Sequence, residues 1–129
     1  MTGGALKGMW DLGLVGFGNV GKGLAKILDQ KRDDLRRRYG FEYRVTFIAT
    51  GSRGSLLNPA GIDLGSALAE VDEKGNLRGH VDATEKDALS LIRGRYARVL
   101  AETTVTDLGT GEPGLTHIRT ALEGGMHVV

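Results

Sequence analysis

Cysteine is absent from the 129-residue chain. That excludes disulfides, thiolate nucleophiles and cysteine metal sites, and it suits a reducing cytoplasm. Proline occurs only twice, so no proline-rich linker divides the sequence. Aromatic residues are 5% of the total. None of them interleaves with the basic run Arg36-Arg37-Arg38, which argues against a nucleic-acid surface. Neither sign of charge dominates. Lys and Arg number 17 against 16 Asp and Glu, a formal net charge of +1, so no global field draws the protein to nucleic acid or to an anionic membrane. Long apolar runs are missing as well. None approaches the ~20 residues that cross a bilayer, and Met1 to Lys7 lack the apolar centre of a signal peptide. The three histidines, His80, His117 and His127, show no metal-ligand spacing, and no metal is expected.

Glycine is plentiful, with 21 residues. With 40% hydrophobic and 26% charged residues, the composition is that of one soluble globular domain over 1–129, led by a loose stretch over 1–8. One group of glycines organises the rest: Gly16-Phe17-Gly18-Asn19-Val20-Gly21. An apolar run, Leu12 to Val15, precedes it. A segment of helical period follows, with Val20, Leu24, Ile27, Leu28 and Leu35 as its apolar positions. Strand, G-x-G-x-x-G, helix is the context in which this pattern points to a dinucleotide. Gly16 turns the chain tightly out of the strand. Gly18 lets a pyrophosphate approach the backbone, and Gly21 lets the helix pack closely on the strand. Unpaired N–H groups of the first helical turn then face the phosphates.

The first strand is expected over Met9–Val15, with Trp10, Leu12 and Leu14 on one face and Gly13 and Val15 on the other. Apolar residues on both faces predict a sheet covered on both sides. One long helix is expected from Asn19 to Tyr39, stopped by Gly40. The second strand runs from Tyr43 to Thr50, and Gly51 to Ser55 read as a polar loop. Asp63 caps a helix carrying Leu64, Ala67, Leu68 and Val71. Thr84 and Asp87 resemble a capping box for a helix through Ile92. A third strand covers Ala97–Thr103, where Glu102 reads as a carboxylate at a wet strand end or one paired with an arginine. Pro113 suits the first turn of a helix whose apolar face is Leu115, Ile118 and Leu122. His117 falls off that face and is expected in solvent. Met126–Val129 begins a fourth strand. The alternation predicts an α/β fold: a Rossmann-like, doubly wound parallel sheet of about four main strands. Its ligand crevice should lie at the carboxyl ends of strands one and three. The apolar strand at Met126–Val129 reads as an unprotected edge, which favours self-association into a homo-oligomer.

Three stretches resemble the cofactor domain of homoserine dehydrogenases. They are Leu14 to Gly21, Ala49 to Ser55, and Glu102 to Asp107 continuing through Gly111-Glu112-Pro113-Gly114 to Val129. The third is the most specific. The resemblance implies an oxidoreductase of threonine and methionine biosynthesis. Such enzymes interconvert L-aspartate 4-semialdehyde and L-homoserine by hydride transfer with NADP(H) or NAD(H). It implies that Phe17, Asn19 and Val20 line the pyrophosphate site, and that Thr103 and Thr104 approach the nicotinamide half. The family's substrate domain, which holds the catalytic lysine, is not represented in these residues. No catalytic residue is therefore assigned, and this chain alone is expected to be inactive on the amino-acid substrate.

Two other readings share the fold: a nucleotide-sensing module without catalysis, and a methyltransferase binding S-adenosylmethionine. The second fits less well, because the residues before the first glycine are Leu14-Val15 rather than an acid. The choice of dinucleotide is read at the end of strand two. NAD-specific folds place an Asp or Glu there to bind the adenosine ribose. Here Ile48-Ala49-Thr50-Gly51-Ser52-Arg53 contains no acid. Ser52 and Arg53 instead offer a hydroxyl and a guanidinium to a 2′-phosphate, so NADP(H) is expected over NAD(H).

Overall fold

A computed structural model describes residues 8–129. The loose lead expected over 1–8 lies outside the described residues except for Gly8. The elements run in the order β1 (Met9–Val15), α1 (Asn19–Gln30), α2 (Arg32–Tyr39), β2 (Glu42–Ala49), β3 (Ser55–Leu57) and α3 (Leu64–Lys74). They continue with β4 (Ala83–Thr84), α4 (Ala88–Arg93), β5 (Val99–Glu102), α5 (Gly114–Glu123) and β6 (His127–Val128). One six-stranded sheet has the order β4-β3-β2-β1-β5-β6. β1 pairs in parallel with both β2 and β5, and β5 in parallel with β6. The winding therefore reverses between β1 and β5, and the fold is a Rossmann-like α/β sheet.

Two cores flank the sheet because β1 and β2 are apolar on both faces. On one side Leu14, Val45 and Ile48 pack against Ala25 and Leu28 of α1 and Leu64, Ala67, Leu68 and Val71 of α3. On the other side Val15, Phe47 and Leu100 pack against Leu91 and Ile92 of α4 and Ala121 of α5. The division of β1 residues between its faces is the one expected from their alternation. Asp11, early in β1, is held by Arg44 of β2 at 2.8 Å, which satisfies a charge inside the sheet.

The structure departs from the sequence reading in several places. The long helix is two. α1 ends at Gln30, and Lys31 leaves helical geometry before α2 begins. The mostly charged second segment has no fully buried residue and reaches the core only through the partly buried Leu35, so little packing holds it collinear with α1. Gly40 closes α2 in the left-handed region, φ 64°. Two short strands, β3 and β4, extend the sheet beyond the four expected. Both pair antiparallel, and at three and two residues they are too short to show a period. Thr84 belongs to β4. The cap of α4 is Asp87, which accepts from Ser90 N–H at 2.8 Å. Pro113 occupies the cap position of α5 rather than its first turn, after a cis Glu112–Pro113 bond.

The apolar face of α5 is also rotated from the expected one. Its buried residues are Gly114, His117 and Ala121, while Leu115 and Leu122 are exposed. Small residues let α5 sit close to the sheet, and close approach decides which stripe is buried.

β1 and β2 pack closely at Gly13. A Cβ added at Gly13 would fall on the ring of Phe47, which is fully buried. Overpacking of this kind costs about 1–3 kcal/mol. Gly13→Ala should lower stability by that amount in urea unfolding. Combining it with Phe47→Leu should recover part of the loss, whereas strictly additive effects would show that the two positions do not share this space.

Candidate nucleotide-binding site

The glycine loop is fastened to the strands on both sides of β1. Gly16 N–H donates to the Ala49 carbonyl of β2 at 2.8 Å. From the β5 side, Thr103 N–H donates to Val15 O at 2.8 Å. The Thr103 hydroxyl lies 3.1 Å from Val15 O and 3.2 Å from Gly16 O. Thr103 thus holds the loop, and its hydroxyl is already engaged.

The three glycines do different work. Gly16 has φ 96°, and a Cβ there would stand 2.6 Å from the Thr103 hydroxyl. A Cβ at Gly21 would strike the Gly16 carbonyl. Both are required by the fold itself. Gly18 has ordinary negative φ and is the cap residue of α1. Nothing lies within 4 Å of the Cβ it lacks. Above it is open space, and below it the first turn of α1 has no side-chain cap and no acid. Asn19 and Val20 are exposed in that turn, while Phe17 turns its ring into the core and offers only its backbone. The first-turn N–H groups are left to an external acceptor, and the helix dipole favours an anion there.

Ser52 and Arg53 follow β2 in an exposed loop. Thr50 organises that loop: its hydroxyl donates to Gly54 O at 2.6 Å and accepts from Arg53 N–H at 2.8 Å. The Arg53 guanidinium has no protein partner among the described residues. A second arginine, which the sequence reading missed, joins it. Arg78, in the turn after α3, donates to the Ser52 carbonyl and packs against Gly54. The residues between them carry no local signal of this meeting, which needs the β3 pairing to bring the turn back. Among the described residues of this loop there is no carboxylate.

Glu102 and His117 overturn two expectations. Neither is wet, and the partner of Glu102 is not an arginine. Glu102 Oε2 lies 2.6 Å from His117 Nδ1, with both side chains at or below 10% exposure. Its Oε1 accepts from Thr104 N–H at 2.7 Å and from the Thr104 hydroxyl. A buried carboxylate is tolerable only with such a full set of partners. A crevice of about 280 Å³ opens beside this pair. Val15, Thr50, Gly51, Thr104, Pro113 and His117 line it, with the start of α4. It lies at the carboxyl ends of the strands, next to the point where the winding reverses.

A larger cavity of about 720 Å³ lies at the other edge of the sheet, lined by Arg93, Arg95 and Arg98 among others. The carboxyl ends of α4 and α5 point there, and cations at such ends answer the unpaired carbonyls. Arg98 lies over the Trp10 ring, 4.3 Å from its centroid. His80 is buried beside Ser66, but its Nδ1 accepts from Asp82 N–H at 3.0 Å. Its Nε2 then carries the proton toward Ser66 Oγ, 2.8 Å away, and it cannot act as a base for that hydroxyl. No group of three or more potential metal ligands occurs among the described residues. None of their helices is long and apolar enough to cross a membrane.

Strand, uncapped glycine loop, helix and reversed winding define a nucleotide-binding domain of the Rossmann class. Comparison with known proteins places it more narrowly: the chain is homologous to homoserine dehydrogenases. It is 35% identical over 120 residues to the homoserine dehydrogenase of Methanocaldococcus jannaschii, covering 92% of this chain and 35% of that protein. It is 32% identical over 124 residues to the NAD(+)-dependent homoserine dehydrogenase of Pseudomonas canavaninivorans, covering 93% and 34%. A crystal structure from Archaeoglobus fulgidus carrying the same enzyme name superimposes with a TM-score of 0.73 at 32% identity, covering 93% and 33%. A hyperthermophilic archaeal homoserine dehydrogenase in complex with NADPH shares the fold, with a TM-score of 0.67 at 19% identity. The chain spans about a third of the length of the curated relatives it matches. No protein-family profile matches it.

The loop between β5 and α5 is held by its own acids. Asp107 accepts from Gly109 and Thr110 N–H at 2.8 and 2.9 Å. The Thr110 and Gly109 amides hold its carboxyl below the usual carboxylate range. Glu112 is likewise held low by the Thr116 hydroxyl and amide. A folded-state value below the unfolded one gives stabilisation that is present at neutral pH and lost as pH falls through the depressed value. The amide resonances of Thr110 and Thr116 should therefore shift on acidification with midpoints below the ordinary Asp and Glu values. Midpoints at or above those values in an NMR titration would contradict the assignment.

Proposed function

We propose that this chain is the dinucleotide-binding part of an oxidoreductase that interconverts L-aspartate 4-semialdehyde and L-homoserine, with NADP(H) preferred. One observation carries the reading. Gly18 keeps open space over an uncapped helix start, with an unengaged arginine at the end of the neighbouring strand. The cofactor, when bound, supplies or accepts the hydride. The chain's own residues bind and orient it. Gly16 and Gly21 shape the loop, while the backbone at Phe17, Gly18, Asn19 and Val20 would meet the pyrophosphate. Thr103 keeps that backbone in place from β5, and Thr104 forms part of the adjoining wall.

The relatives include both an NADPH complex and an NAD(+)-dependent enzyme, so the preference must come from this chain's residues. Arg53 and Arg78 flank Ser52 in a loop without a carboxylate to repel a 2′-phosphate. A charge-assisted contact contributes about 1.5–3 kcal/mol, which is roughly 10- to 100-fold in affinity. Calorimetry at low salt should show NADPH binding at least ~10-fold tighter than NADH. Arg53→Ala and Arg78→Ala should each reduce that ratio and leave NADH affinity nearly unchanged. Equal affinities in the unaltered protein would refute the preference.

Gly18→Val separates binding from folding. A Cβ meets nothing there and φ is ordinary, so the variant should fold, at a cost of about 1 kcal/mol for a branched residue at a cap position. Dinucleotide binding should be lost, because the branched side chain would occupy the phosphate's approach. Retained binding in a folded Gly18→Val variant would reject the glycine loop as the pyrophosphate site.

A further inference from the structure

The cavity of about 720 Å³ lies at the amino ends of β5 and β6, on the opposite edge of the sheet from the glycine loop. Its lining carries groups of both signs that the fold leaves open. Arg93, Arg95 and Arg98 supply three guanidinium groups. These form no ion pair or hydrogen bond among the described residues. Arg93 acts on Asp87 through its charge alone. The Trp10 ring supports one face of the Arg98 guanidinium and leaves its N–H edge free. Arg95 stands at φ 60°, the one non-glycine residue at positive φ among the described residues. A Cβ is crowded there, and glycine would avoid the strain. On the negative side is the Glu123 carboxylate, which has no partner among the described residues. Asp11 is already held by Arg44. The carboxyl end of α4 adds acceptors. Gly94 N–H takes the Leu91 carbonyl at 3.3 Å. No amide or arginine among the described residues takes those of Ile92 and Arg93.

We propose that this cavity binds an α-amino acid with an acidic side chain. Its ammonium group is met by Glu123 and the open carbonyls at the end of α4, and its two carboxylates by the guanidinium groups. Charge decides the class. A simple dianion or a phosphate ester would suit the arginines but would also face the Glu123 carboxylate and the negative ends of α4 and α5. A simple cation would face three arginines. Only a ligand carrying both signs satisfies both sets. Three guanidinium groups against one free carboxylate call for more than one anionic group in that ligand, and arginine grips a carboxylate with two parallel N–H donors. The volume falls in the ordinary range of small-molecule pockets. The proposal stands apart from the dinucleotide reading, since the two sites share no residue.

The test is an NMR titration of the full chain at neutral pH and low salt, with no dinucleotide added. L-aspartate and L-glutamate are compared with succinate, which lacks the ammonium group, and with L-alanine, which lacks the second carboxylate. At about 10 mM, which fills a millimolar site to ~90%, an acidic amino acid should move the amide resonances of Arg95, Gly124 and Gly125. Succinate and L-alanine should each bind roughly 5- to 10-fold more weakly, the effect of one charge-assisted contact partly screened by solvent. Arg95→Gly separates the ligand from the fold. Glycine adopts φ 60° without strain, so the melting temperature should hold or rise while affinity for L-aspartate falls at least ~5-fold. Glu123→Gln should remove the advantage of L-aspartate over succinate. No shift with either acidic amino acid would overturn the proposal. Equal binding of succinate would make this a site for simple dianions and overturn it too, as would equal binding of L-alanine. So would unchanged affinity in Arg95→Gly, or an advantage over succinate that survives Glu123→Gln. None of these outcomes bears on dinucleotide binding, which is read at Gly18 on the other edge.

Discussion

The structure depends on how the turn after β1 is held. A tight turn at positive φ is not stable by itself. Here it is fixed by a hydrogen bond from the Gly16 amide to the Ala49 carbonyl on one side and by the amide and hydroxyl of Thr103 on the other. Those contacts join three parallel strands at their carboxyl ends. They also set where α1 begins, and so where its unpaired amides point. Parallel pairing of β1 with both neighbours is what makes the arrangement possible, since only then do all three strands end at the same edge. Anything bound at that edge is oriented by backbone rather than by mobile side chains.

The buried pair of Glu102 and His117 is a second layer under the same edge. Both carboxylate oxygens are occupied, one by the Thr104 amide and hydroxyl and the other by the imidazole. The residue after Thr103 is therefore held as firmly as Thr103 itself. A strand end carrying two threonines could fray into solvent. Here one is bound to the glycine loop and the other to the helix that follows, through Glu102.

Much of this was legible in the sequence, for identifiable reasons. β1 was readable because its apolar residues alternate over a run long enough to show both faces. Asp63 marked the start of α3 because a cap acts locally, within three residues. The contacts that were not legible are those decided at a distance. His117 looked exposed because Leu115, Ile118 and Leu122 form the more hydrophobic stripe. The stripe that is buried holds Gly114 and Ala121, whose merit is small size against the sheet. Glu102 could not be assigned a partner without knowing that rotation. Arg78 reaches Ser52 only because two strands too short to recognise fold the chain back. Local rules carried the fold and the glycine loop, and helix rotation and long-range return decided the rest of the site.

The three glycines of the loop read as one motif, yet they answer to different demands. Gly16 and Gly21 are enforced by neighbouring atoms of the protein, and Gly18 faces nothing but open space. Over evolutionary time these positions would part company. A descendant that had given up its ligand would keep the outer two, since losing them breaks the domain, and would drift at the middle one. The middle glycine is thus the one position of the three that the fold itself leaves free to vary.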